Sequence, residues 1–114
     1  MHIDEYEFGR IVIDGKEYIQ DIIIFPDSIQ ASWWRREGHY LHTEDLAMII
    51  DRPPNVLIIG QGFSGCMRVP DELIETLKAK GMQVHVAHTR DAVALYNRLS
   101  GGDQSIAAAL HLTC

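Results

Sequence analysis

The chain has 114 residues, 46% hydrophobic and 23% charged, with a formal net charge of -6 at pH 7. That length suits a single domain over residues 1–114 with a core of its own. The acidic balance argues against nucleic acid, which demands a basic footprint, and no apolar run is long enough to span a bilayer.

Two cysteines, Cys66 and Cys114, in a chain that can bury a core do not read as a disulfide framework. The segment Met1 to Gly9 is acidic and has no apolar leader pattern. The expectation is free thiols and a cytoplasmic location.

In chain order, Phe8 to Ile13 predicts a strand, Asp14-Gly15 a hairpin turn, and Lys16 to Ile19 the returning strand. Ile22 to Phe25 is a further apolar run stopped by Pro26-Asp27, and Ile29 to Trp33 predicts another strand. Thr43 opens a short helix with Glu44 and Asp45 in its first turn and Leu46, Ile49 and Ile50 on its apolar face. Pro53-Pro54 ends it. Val56 to Ile59 is wholly apolar, as a strand covered on both faces must be. The glycine loop Gly60 to Gly65 follows. Pro70 then starts a helix that Gly81 stops, with Leu73, Ile74 and Leu77 on one face. Val84 to Val86 predicts a strand, Thr89 caps a helix to about Leu99, and Ile106 to Leu112 predicts a last strand inside the sheet. The alternation of strand and helix in the second half implies a right-handed βαβ crossover and partly parallel pairing. The fold class is α/β, a central mixed sheet flanked by helices, with an antiparallel β layer from the N-terminal half.

The words Val56-Leu57-Ile58-Ile59-Gly60-Gln61-Gly62, Val69-Pro70, Leu77-Lys78, Gly81, Thr89 with Ala92, Tyr96-Asn97-Arg98-Leu99 and His111-Leu112-Thr113-Cys114 recur in a recognisable order. With Trp34-Arg35 and Gly38-His39 upstream, the chain resembles the adipogenesis-associated "Mth"-type domain family, which includes a mitochondrial respiratory complex I assembly factor. The resemblance covers nearly the whole chain. It implies a mixed sheet with flanking helices and an assembly or regulatory role. It carries over no catalytic residue and no cofactor.

Gly60, Gly62 and Gly65 fit the dinucleotide spacing after a strand. The fingerprint needs a helix to begin at the third glycine. Here Cys66 to Pro70 intervenes, and the following strand ends in His85-Val86-Ala87-His88 with no ribose-binding acid. No nicotinamide or flavin cofactor is expected. Two readings of the loop remain: a sharp exit from a central strand, or a small-anion site in which loop N–H groups and Arg68 face one concavity. The histidine pairs His39/His42 and His85/His88, like His111/Cys114, are spaced i, i+3 outside predicted helices, so their side chains diverge and no metal site is expected. The alternative is a small enzyme with its active site at the glycine loop, using Cys66 or a nearby histidine, but no histidine–acid partnership is legible.

In Trp33-Trp34-Arg35-Arg36 the two indoles face opposite ways. The outer one beside arginine has the composition of an interaction hot spot, and a structural cation–π pair is the other reading. The resulting candidate surface joins Trp34, Arg35, Arg36 and His39 to Gly60, Gly62, Gly65, Arg68, His88 and Asn97. Its expected occupant is a protein partner, a small anionic ligand or a second copy of the chain.

Overall fold

The computed structural model describes residues 1–114 and arranges them in two sheets and three helices. Strands β1 (Ile3–Glu7), β2 (Arg10–Ile13) and β3 (Lys16–Tyr18) form an antiparallel sheet in the order β1-β2-β3. Asp14 and Gly15 join β2 to β3 with φ of 49° and 80°, the positive values that a two-residue hairpin turn requires.

The acidic start of the chain is thus a strand, which the sequence pattern did not reveal. A bulge between Ile3 and Glu5 is the reason. It places Ile3 and Tyr6, three residues apart, against the same core cluster and erases the period of two. Phe8 lies in the turn after β1 and is exposed.

The second sheet contains β4 (Ile22–Ile24), β5 (Ile29–Gln30), β6 (Val56–Gly60), β7 (Gln83–Ala87) and β8 (Ile106–Leu110), in the order β5-β4-β8-β6-β7. Strand β6 is parallel to β7 and β8, whereas β4 is antiparallel to β8 and to β5. The last strand is therefore central, as its sequence predicts. Strand β5 stops at Gln30 instead of Trp33, because the chain then turns inward and Trp33 N–H donates to the Asp21 carbonyl at 2.7 Å.

A 3-10 turn, Thr43–Leu46, leads into α1 (Ala47–Asp51), followed by α2 (Asp71–Ala79) and α3 (Thr89–Leu99). The two crossovers leave on opposite faces. Val56, Ile58, Ala108 and Leu110 pack with Ala92 and Tyr96 of α3 and with Ile3, Ile11 and Ile13 of the small sheet. Leu57, Ile59, Ala107 and Ala109 pack instead with Leu46, Ile49, Leu73 and Leu77. The alternation along β6 and β8 thus feeds two cores, so both strands are apolar throughout.

Candidate functional site

Because α2 and α3 cover opposite faces, the connections leaving β6 and β7 diverge and open a crevice at their carboxyl ends, the usual ligand position of an open α/β sheet. Here the chain fills that crevice with its own residues 111–114. Phe63 N–H donates to the Thr113 carbonyl at 2.8 Å, and Cys66 N–H to the Cys114 carbonyl at 2.9 Å. Thr89 is the clasp: its hydroxyl donates to the His111 carbonyl at 2.6 Å and accepts from Gly62 N–H at 2.8 Å.

This packing explains the glycines. A side chain on Gly60 would meet Thr89 Oγ1 at 2.8 Å, and one on Gly62, whose φ is +103°, would collide with the main chain of Cys114. Gly65 lies against the His88 imidazole. Every N–H from Gln61 to Arg68 already has a protein acceptor. The expectation of an anion-binding nest is corrected accordingly, since the loop offers no free N–H groups to a ligand.

Beside the crevice lies a buried polar group that the sequence did not announce. Asp21 Oδ2 is 2.7 Å from an Arg35 guanidinium nitrogen and 2.8 Å from His111 Nδ1, while Asp21 Oδ1 accepts from Leu112 N–H at 2.7 Å. Arg35 also donates to the Gly38 carbonyl at 2.9 Å, and its guanidinium lies over the Trp33 ring, 4.7 Å from the centroid. The second Arg35 nitrogen approaches His111 Nδ1 to 3.1 Å. Nδ1 cannot both donate to the carboxylate and accept from the guanidinium. The shorter, charge-assisted contact assigns its proton to the bond with Asp21. Burial alone would push the Asp21 carboxyl up. The hydrogen bonds from His111, Leu112 N–H and Arg35 outweigh it and hold the group below its ordinary value. His111 Nε2 is left buried without a protein partner, and the His39 ring packs edge to face against that imidazole at 5.6 Å.

The predicted residues therefore separate. Arg35 is buried and belongs to this ion pair, so it is no surface ligand. Asn97 lies elsewhere: its amide accepts from Ile3 N–H at 2.9 Å and donates to the Ile3 carbonyl at 2.8 Å, tying α3 to β1. His39 and Arg68 do come together, through Arg68 N–H to the His39 carbonyl at 2.9 Å, and the Arg68 side chain is exposed. Arg36 is exposed and pairs with Glu44 at 3.0 Å. His88 precedes α3 as its N-cap, a place the sequence reading gave to Thr89. No three His, Cys, Asp or Glu side chains are grouped as metal ligands.

The two tryptophans divide between core and surface, although they lie beyond β5 and not on the strand expected to separate them. Trp33 is buried and donates its indole N–H to the Asp45 carbonyl at 3.0 Å. Trp34 is 77% exposed and borders a depression of about 170 Å³ with Gln30, Ala47 and Met48, the last 60% exposed. Met48 also lines the largest cavity, about 550 Å³, at the amino ends of β6 and β8 with Phe25, Pro26 and Pro53. Asp45 fixes the intervening backbone, its carboxylate accepting from Arg36 N–H at 3.0 Å and His42 N–H at 2.8 Å.

The family model described as "Protein of unknown function (DUF498/DUF598)" matches residues 3–111. The chain belongs to this family. A human DUF498/DUF598 relative, NADH dehydrogenase [ubiquinone] 1 alpha subcomplex assembly factor 3, is 25% identical over 113 residues. The alignment covers 96% of this chain and 60% of the relative, so the chain spans less than two thirds of that protein's length. The crystal structure of the conserved hypothetical protein PH1505 from Pyrococcus horikoshii OT3 is 30% identical, covers 100% of both chains and superposes with a TM-score of 0.84. A Mth938-like domain protein of Bordetella pertussis, solved in solution, is 21% identical over 97% of this chain and 85% of its own, with a TM-score of 0.71, and shares the fold. The DUF498/DUF598 fold seen here has no helix long and apolar enough to cross a membrane.

Proposed function

We propose that the chain is a non-catalytic protein-binding domain of the assembly-factor type, whose partner docks on Trp34. The exposure of that indole carries the reading. Trp34 stands between two buried residues, Trp33 and Arg35, so its backbone is held and little entropy is lost when it is covered. A large rigid aromatic beside Met48 and Arg36 is the composition that dominates binding energy at protein interfaces. The human relative's role as an assembly factor supports a protein partner. The crevice supports binding over catalysis as well. Its usual ligand position is filled by the chain, and the free nitrogen of the Asp21–His111 pair is buried.

The test is site-specific photo-cross-linking in the source cell. A photoreactive aromatic residue at position 34 should give one discrete adduct, and the same residue at exposed Glu75 on α2 should not. Excess unlabelled chain should compete the adduct away, and excess Trp34→Ala chain should not. Absence of a discrete adduct, or equal competition by Trp34→Ala, overturns the proposal.

A further inference from the structure

The two thiols share one place in the fold. Cys66 and Cys114 are both free and exposed. Cys66 N–H donates to the Cys114 carbonyl at 2.9 Å, and Ser64 N–H reaches the same carbonyl at 3.3 Å. With standard bond lengths, that hydrogen bond limits the two Cα atoms to about 6.8 Å or less. Disulfide-bonded residues usually lie about 4.4–6.8 Å apart at Cα. Neither side chain fills the core, so bridging them displaces no packed group. The paired backbones are already held, because Gly62 lets the loop lie directly on the Cys114 main chain.

We propose that Cys66 and Cys114 are a reversible oxidation site that closes as an intrachain disulfide, with a low-molecular-weight disulfide such as oxidised glutathione as co-reactant. One protein thiolate attacks a glutathione sulfur, the reagent's S–S bond breaks, and the first glutathione leaves and takes the proton. The second protein thiolate attacks the mixed disulfide and releases the second glutathione. Two protein thiols are oxidised and one disulfide is reduced to two thiols. The bridge fastens the glycine loop to the segment that fills the crevice. In the reduced protein hydrogen bonds and the half-buried Thr113 side chain hold residues 113 and 114 without a covalent tie, whereas in the oxidised protein the bridge fixes Cys114 to the loop.

The test incubates the reduced full chain with graded ratios of reduced to oxidised glutathione, quenches by alkylation, and reads intact mass and cross-linked peptides. The expected product is a monomer lighter by two hydrogens, with the Cys66 peptide joined to the Cys114 peptide. The folded chain should form the bridge with an equilibrium constant at least about tenfold above that of the chain in concentrated urea, about 30 mV for this two-electron couple. Cys66→Ser and Cys114→Ser should each stop at a mixed disulfide. If the folded chain yields only mixed disulfides or intermolecular dimers, or bridges no better than the unfolded chain, the proposal is overturned.

Discussion

Replacing Asp21 by Ala tests the buried ion pair that organises the carboxyl end of the sheet. The substitution removes the acceptor of Leu112 N–H, His111 Nδ1 and Arg35 together. It strands a guanidinium whose side chain is only 4% exposed. Breaking one side of a buried pair costs about 3–5 kcal/mol, because the remaining charge stays desolvated. That is a large share of a typical total stability of about 5–15 kcal/mol. For a domain of this size the melting temperature should fall by about 12–20 °C, at roughly 4 °C per kcal/mol. Urea titration and calorimetry measure it. The double variant Asp21→Ala/Arg35→Met removes the stranded charge and should recover part of the loss. Asp21→Ala melting within about 2 °C of the parent, or Arg35→Met adding its full separate cost, would refute the reasoning. The pH dependence has a definite sign. The folded carboxyl lies below its ordinary value, so its contribution is fully present above about pH 4 and is lost as pH falls through the folded value. The stability gap between the parent and Asp21→Asn should therefore narrow in acid and stay constant from about pH 5 to 7.

Gly62→Ala should destabilise by about 1–3 kcal/mol from its φ alone and further from collision with Cys114, read as a lower urea midpoint. An unchanged midpoint would refute the packing of residues 111–114 in the crevice. Asn97→Ala should cost about 2 kcal/mol and speed amide exchange in β1 while sparing β6 and β8, because the amide joins α3 to Ile3. Uniform exchange would show that the small sheet is not held through that contact. Deleting residues 105–114 should abolish cooperative unfolding, since it removes the central strand and buried side chains worth roughly 1.5–3 kcal/mol each. A truncated chain with a sharp melting transition would contradict the strand order.

The legible features were those written over a few adjacent residues. Val56 to Ile59 is apolar at every position and short, as a strand with two covered faces is. Asp14-Gly15 names its turn, whereas Trp33 and Trp34 divide between core and surface beyond the end of β5, where strand alternation no longer applies. What stayed hidden was long-range or irregular. The partnership of Asp21 with His111 spans 90 positions, so no local spacing announces it. Arg35 reads as a surface cation because burial depends on a partner that only the tertiary fold supplies. The glycine loop was the hardest case. Its spacing equally suits a ligand or a chain segment, and nothing in Gly60 to Gly65 says that residues 111–114 return to lie in it.

The position of β8 has a consequence for the newborn chain. Strands β4 and β6 each pair with β8 and not with each other. While residues 106–110 are still unmade, the five-stranded sheet can assemble only as the pairs β5-β4 and β6-β7, each with an open inner edge of Ile or Val-Leu-Ile-Ile sequence. Two such apolar edges displayed at once invite pairing with foreign strands. The interval between synthesis of Gly60 and of Leu110 is thus the period of greatest aggregation risk. It closes when β8 enters between the two halves, a late step dominated by contacts distant in sequence.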